Sequence, residues 1–272
     1  MRIEKRMPSF NSVSAGNTAS ISLPIGRRYH MLYLFYSGIT LAQMTEIRIK
    51  ANGKVFQKFS ATERDIMNQH KKLEPANGIL RIPFDRVGLK RRDQEELTAV
   101  NTAVPDVRGN AINSFTLEID IAEGVTAPSL KIEASQSAAI PGGPGLMMNI
   151  RRESRSINGA GELEVSDYLY GTPVSQSFDC MYAIPSAGSI SKIRMERNLE
   201  TFWERSAELN EMVQFDGVRQ PISPWFSVDG LELGYGGNAF DLRNLNDFRV
   251  IYNCSEAMTV KSVFEYIGVL GN

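Results

Sequence analysis

Apolar and polar residues alternate in short runs along most of this chain, a period that suits strands rather than helices. Residues 115–121 show it most cleanly. Phe115, Leu117, Ile119 and Ile121 fall on one side, and Thr116, Glu118 and Asp120 on the other. Such a segment buries one face of a sheet and leaves the other wet. Residues 19–25, 29–36, 47–51, 54–59, 78–84 and 130–134 read as further strands, as do 181–184, 190–195, 224–228, 248–254 and 259–269. Asn52-Gly53 separates two of them, and both residues tolerate the positive φ of a tight hairpin turn. The pattern predicts an all-β chain.

Helices are few. Ser60-Ala61-Thr62-Glu63 is a capping box, so a helix is expected from there to about Lys72. Residues 91–100 predict a shorter one. The strongest helical pattern covers 199–213. There Leu199, Phe202, Trp203, Ala207, Leu209, Met212 and Val213 recur near helical spacing, with Asn198 as cap. That places Trp203 in a core.

Pro141-Gly142-Gly143-Pro144-Gly145 can extend neither a helix nor a central strand, and it lies just past the midpoint of 272 residues. The expected organisation is an N-terminal segment over 1–10, a sandwich over 11–140, a linker at 141–145 and a second sandwich over 146–272. Each sandwich then has a domain-sized length of roughly 130 residues.

The two halves also resemble each other. At an offset of 146, Ile47, Arg48, Asn52, Phe56, Ser60 and Ala61 match Ile193, Arg194, Asn198, Phe202, Ser206 and Ala207, which is 6 identities in 21 positions. At an offset of 133, residues 115–121 resemble 248–254. The first half then carries an insertion, placed near the charged stretch 90–96. One conflict stands inside the repeat: 54–59 reads as a strand, while 200–205 reads as helical. Two similar β-rich halves suggest two sandwiches, for which a jelly roll is one way to manage strand edges.

Composition excludes several functions. A formal charge of −1 lacks the basic excess usual for nucleic-acid binding. Two cysteines, Cys180 and Cys254, make neither a disulfide framework nor a four-cysteine zinc site. They are expected as free, buried thiols of a protein made in a reducing cytoplasm. Two histidines, His30 and His70, stand 40 positions apart and favour neither a histidine metal centre nor a hydrolase triad. Both are expected at the surface or partly buried. Residues 1–7 read as charged, without the apolar run of a signal peptide.

The remaining candidates are weak. Glu95-Glu96 and the pair Glu162/Glu164 are expected on solvated faces. Gly234, Gly236 and Gly237 lack the context of a phosphate loop and read as a flexible loop. Asp120, Glu123, Asn253 and Glu256 sit near matching strand ends, where oxygen-rich loops can bind calcium, but the dense acidic pattern is missing. Lys90-Arg91-Arg92 and the cluster Arg151, Arg152, Arg155 suit solvated faces or subunit contacts. Arg2, Lys5 and Arg6, interleaved with Met1, Ile3 and Met7, could lie against anionic lipid headgroups or form a disordered tail.

Ala15-Gly16-Asn17-Thr18-Ala19-Ser20-Ile21-Ser22-Leu23-Pro24-Ile25-Gly26, followed by Tyr36-Ser37-Gly38-Ile39-Thr40, resembles the major capsid protein of corticoviruses, tailless icosahedral phages with an internal membrane. Residues 47–53 fit the same family's strand and hairpin, and Glu265-Tyr266-Ile267-Gly268-Val269 resembles its closing strand. The likeness is good over 8–75 and patchy beyond. It implies a double jelly roll, two eight-stranded β-sandwiches side by side with a few short helices in the loops. It further implies homotrimeric, pseudo-hexagonal capsomers tiling a shell around a membrane. The expected partners are the chain itself, neighbouring capsomers, penton and minor membrane proteins, and lipid at the inner face beside Arg2, Lys5 and Arg6. No specific nucleic acid, no catalytic residue and no required cofactor are expected, though the family is associated with calcium. The location is the virion capsid, assembled in a bacterial cytoplasm. The rival reading is a carbohydrate-binding or carbohydrate-active tandem sandwich, motivated by Trp203, Trp225 and the loop near Tyr235.

Overall fold

The computed structural model describes residues 1–271, and its contacts divide them into two units. One is residues 1–150 together with the last residues from Val269; the other is Arg151–Gly268.

The first unit contains β1 (Ile3–Arg6), β2 (Thr18–Ser22), β3 (Arg27–Ser37), β4 (Met44–Ala51), β5 (Lys54–Phe59), β6 (Ile79–Pro83), β7 (Val100–Asn101), β8 (Phe115–Ile121) and β9 (Ser129–Ala138). Helix α1 (Ala61–His70) follows β5, and the short α2 (Arg92–Glu95) precedes β7. β10 (Met147–Ile157) leads into the second unit, which adds β11 (Gly161–Val165), β12 (Ser177–Pro185), β13 (Ile190–Arg197), β14 (Glu200–Ser206), α3 (Ala207–Gln214), β15 (Phe226–Asp229), β16 (Phe240–Asp241), β17 (Phe248–Cys254) and β18 (Met258–Gly268).

Strand order shows the repeat directly. The first unit stacks the rows β1-β9-β3-β6 and β2-β8-β4-β5, with β7 beside β3. The second has β10-β18-β12-β15 and β11-β17-β13-β14, with β16 beside β12. Each strand of the second unit bears its counterpart's label plus nine. First strand beside last, in two four-stranded rows, is the jelly-roll arrangement, and it occurs twice.

Alternation places the cores. Along β8 the four apolar residues point inward and Thr116, Glu118 and Asp120 outward. Phe115 centres the first core, with ring centroids 5.1 Å from Tyr29, 5.7 Å from Phe84 and 6.3 Å from Phe56. Its counterpart Phe248 lies 6.2 Å from Phe178, 6.2 Å from Tyr170 and 6.5 Å from Phe202. Outward charges pair across strands. Arg48 Nη1 reaches Asp120 at 2.6 Å and Glu46 at 2.7 Å, while Arg48 Nε meets Glu118 at 3.0 Å.

Several expectations need correction. Residues 199–213 are not one helix. β14 occupies the first half, and α3 begins only at Ala207, with the Ser206 side chain accepting from the Leu209 N–H as its cap. Asn198 is a turn residue at φ +50°, not a cap, and Trp203 lies half-buried on a strand. The conflict inside the repeat thereby disappears, because 54–59 and 200–205 are both strands. Residues 91–100 form only the single turn of α2 and a 3-10 turn before β7. Both histidines are fully buried. Gly234, Gly236 and Gly237 sit in two 3-10 turns, Glu232–Gly234 and Gly236–Asn238. The N-terminal residues 3–6 are a strand rather than a tail. The insertion is shared between two connections. Pro83 to Val100 spans 17 positions against 11 for Asp229 to Phe240, and Asn101 to Phe115 spans 14 against 7 for Asp241 to Phe248. Cys180 and Cys254 are buried and form no disulfide, as composition led us to expect.

Candidate assembly surfaces

Three regions present chemistry that a partner could meet. The first is the N-terminal strand. β1 pairs antiparallel with β9, from Ile3 opposite Gln136 to Arg6 opposite Glu133. Buried Met7 extends the anchorage, its N–H donating to the Ile132 carbonyl at 2.9 Å. Arg2, Lys5 and Arg6 do not act alike. Arg2 turns into the protein, with Nη2 2.8 Å from both Asp85 and Glu96. Glu96 also receives Arg28 at 3.2 Å and Arg92 at 2.6 Å. Burial alone would raise the Glu96 pKa, but the hydrogen bonds and charges of Arg92 and Arg2 prevail and hold it at about 2. Asp85 in turn lies 3.1 Å from His30 Nδ1, whose Nε2 meets Ser137 Oγ at 2.9 Å. Lys5 and Arg6 stay exposed on β1.

The second region is a clip that appears in both units. After β4 the chain turns at Asn52 and Gly53, with φ +52° and +78°. The Asn52 carboxamide oxygen accepts from the backbone N–H groups of Asn113 at 2.8 Å and Ser114 at 3.2 Å, while its own N–H donates to the Ser114 carbonyl at 2.9 Å. After β13 the chain turns at Asn198 and Leu199, with φ +50° and +69°. The Asn198 oxygen accepts from Asn246 at 2.8 Å and Asp247 at 3.3 Å, and its N–H donates to the Asp247 carbonyl at 3.0 Å. Each asparagine thus ties a hairpin to the start of the neighbouring strand, β8 or β17. The bulge that follows is also shared. Pairing skips Phe56 between Val55 and Gln57, and Phe202 between Thr201 and Trp203.

The third region is β14 with α3. Helix α1 buries seven of its ten residues, including Arg64, Asp65, Asn68 and His70. Helix α3 buries only Asn210 and Gln214. Both of these amides donate to the Ser227 carbonyl, at 2.7 and 2.5 Å, fixing the polar side of α3 against β15. The apolar side therefore faces outward: Leu209 is 50% exposed, Met212 78% and the following Phe215 71%. Asp216 holds the next loop, accepting from the N–H groups of Val218, Arg219 and Leu233 at 2.6, 2.6 and 2.7 Å. Burial raises its pKa, and these three donors bring it below the usual carboxylate range. Arg219 and Asp229, both buried, pair at 2.5 Å and pin the same loop to β15.

The sequence offered little sign of this surface. Helical spacing locates α3's apolar stripe but not which way it faces. The basic clusters are largely engaged within the chain: Arg91 with Asp93, Arg92 with Glu96, and Arg155 with Glu153 and Asp167. Glu162 and Glu164 meet Arg194 and Arg249. One of the candidate calcium donors is already engaged. Asp120 already accepts from Arg48 at 2.6 and 2.7 Å and from Thr18 at 2.6 Å, so a cation would have to displace a guanidinium. Arg205 lies over the Trp203 ring at 5.3 Å, and Trp225 packs edge-on to Tyr182.

Comparison with known proteins gives a consistent result. The family model described as viral coat protein P2 N-terminal domain matches residues 4–137, and that of the viral coat protein P2 C-terminal domain matches 147–270. The major capsid protein P2 of Pseudoalteromonas phage PM2 is 26% identical over 168 residues, 61% of this chain and 61% of that protein. The crystal structure of the major capsid protein P2 from bacteriophage PM2 superposes with a TM-score of 0.89 at 20% identity, covering 100% of this chain and 99% of that one. A chain of Sulfolobus turreted icosahedral virus gives 0.68 at 11% identity (98% and 90% covered), and the Faustovirus major capsid protein 0.60 at 8% (98% and 90%).

Proposed function

The chain belongs to the viral coat protein P2 family, with both family domains in order, and from that premise we propose that it is the major capsid protein of an icosahedral particle. Its capsomer is a homotrimer in which three chains supply six similar jelly rolls, a number suited to a closed, near-hexagonal ring. Such capsomers tile a shell around an internal membrane. Neighbouring capsomers, vertex proteins and membrane proteins are the partners such a block meets in a virion. The role is structural rather than enzymatic. Assembly in a bacterial cytoplasm is compatible with two cysteines that form no disulfide.

The observation that carries this reading is the doubled strand order, in which each unit repeats the other strand for strand. On the inner face, Lys5 and Arg6 meet lipid headgroups, while Arg2 serves the fold through Asp85 and Glu96. Size-exclusion chromatography with light scattering tests the trimer: three times 30.3 kDa is expected, and a monomer at every concentration would refute it. Flotation with anionic liposomes tests the lipid contact. Neutralising Lys5 and Arg6 should weaken it while the trimer persists, and unchanged flotation would remove the lipid role.

A further inference from the structure

Asn52, Asn77 and Asn158 each precede a glycine. That pair has a chemistry of its own. A glycine carries no Cβ to shield its backbone nitrogen, and the nitrogen can attack the Cγ of the asparagine before it. All three asparagines are exposed, so access to water does not separate them. The way each is held does.

Asn52 is held by side chain and backbone together. Its carboxamide oxygen accepts from Asn113 and Ser114, and its Nδ2 donates to the Ala111 carbonyl at 2.7 Å. Its own N–H donates to Ser114, and the turn fixes Asn52 and Gly53 at φ +52° and +78°. Attack on its Cγ requires the carboxamide to leave these partners. Asn77 is held by its flanks alone. The Ala76 N–H donates to Asp65 at 2.7 Å, and the Gly78 carbonyl accepts from the Tyr36 N–H at 3.0 Å. Asn158 has neither restraint. It opens the three-residue connection 158–160 between β10 and β11. Among the described residues no hydrogen bond reaches its side chain or the backbone of that connection. Gly159 and Gly161 give the segment further freedom.

We propose that Asn158 is a self-modification site, which cyclises with Gly159 and opens to aspartate and isoaspartate, while the fold protects Asn52 and Asn77. The Gly159 nitrogen gives its proton to a base in solvent and bonds to Asn158 Cγ. The Cγ–Nδ2 bond breaks, and the departing nitrogen takes up a proton and leaves as ammonia. A five-membered succinimide remains. Water then adds to one of the two ring carbonyls and breaks its bond to the Gly159 nitrogen. Cleavage at Cγ leaves aspartate, and cleavage at the main-chain carbonyl leaves isoaspartate, with the chain rerouted through Cβ. Ammonia is lost and water gained, with no oxidation or reduction.

Each event places a new carboxylate on the connection, and isoaspartate lengthens the main chain there by one carbon. β11 is the terminal strand of its row and begins with Gly161 opposite Cys254. A longer connection is therefore taken up at an edge.

The test follows the full chain over time at mildly alkaline pH, once folded and once in denaturant. Peptide mass spectrometry reads the gain of acid at each asparagine, and enzymatic methylation reads isoaspartate. In denaturant the three sites should react at similar rates. In the folded chain Asn158 should keep its unfolded rate. Asn52 should react at least about tenfold more slowly, the factor expected when several hydrogen bonds must open first, with Asn77 between them. A folded Asn158 slowed as much as Asn52 would overturn the proposal, as would an Asn52 that keeps pace with Asn158. The variant Gly159→Ala checks the route. A Cβ there meets nothing within 4 Å, so the melting temperature should hold while conversion is lost. Conversion at Asn158 that persists undiminished in this variant would rule out attack by the residue 159 nitrogen.

Discussion

Helices α1 and α3 occupy the same place in the two units and meet their surroundings in opposite ways. α1 follows β5, carries a reciprocal Ser60–Glu63 capping box and buries Arg64, Asp65, Asn68 and His70. α3 follows β14, is capped by Ser206 at the matching position, and turns Leu209 and Met212 to solvent. A helix stabilises a monomer by burying its apolar stripe. α3 does the reverse, and does so on a firmly held base, with two side-chain amides on the Ser227 carbonyl. The difference teaches that the repeat preserves how each unit is built and relaxes what each unit shows.

If that is right, equivalent changes inside the two units should cost alike. The largest expected effect is on the core centres. Phe115→Ala and Phe248→Ala should each destabilise by about 3–5 kcal/mol, read as a loss of melting temperature or denaturant midpoint. A mild effect at one site alone would break the equivalence of the two cores. The next test addresses the clips. Asn52→Ala and Asn198→Ala each remove an acceptor from two backbone N–H groups and place alanine at positive φ, for a cost of about 1–3 kcal/mol. Equal losses sharpen the comparison, whereas a silent Asn198→Ala would make the second clip incidental.

The smallest effect concerns acid. Glu96 has a folded pKa of about 2 against an ordinary value of 4.5. A carboxylate with a depressed folded pKa contributes stability that is present above about 4.5 and is lost as pH falls through about 2. Hydrogen exchange, corrected for its intrinsic pH dependence, should therefore show β1 loosening in that window before the second unit responds. Glu96→Gln should loosen β1 already at neutral pH. Simultaneous loosening of both units would show that Arg2 and Glu96 are not what holds β1.

Much of this fold was legible in the sequence where a strand is half-buried. β8 and β17 begin and end where alternation places them, and Asn52-Gly53 marks its turn. The edges were harder to read. β1 (IEKR) carries a single apolar residue, and β11 (GELEV) alternates over only five residues with two of them large and apolar, so neither announces a strand. β14 was hidden differently. Phe202 and Trp203, adjacent at a bulge, fall into helical register with Ala207 and Leu209 of the following helix, and the sum imitates one long helix. The outward turn of α3 could not be read at all, because periodicity gives a stripe and not its direction. Of the proposed lipid-facing residues, Arg2 looked identical to Lys5 and Arg6 until Asp85 and Glu96 arrived from distant positions.

The bulge shared by Phe56 and Phe202 bears on what a repeated half retains. Of the six identities at offset 146, Asn52, Phe56 and Ser60 mark a turn, a bulge and a cap, the points where the backbone changes course. The apolar residues between them vary more freely, Ile49 against Met195 and Val55 against Thr201. A core accepts many fillings of similar volume, but a bend tolerates few residues. The two units thus keep a common itinerary with different cargo, and a third unit of this kind would be sought by its bends before its hydrophobic content.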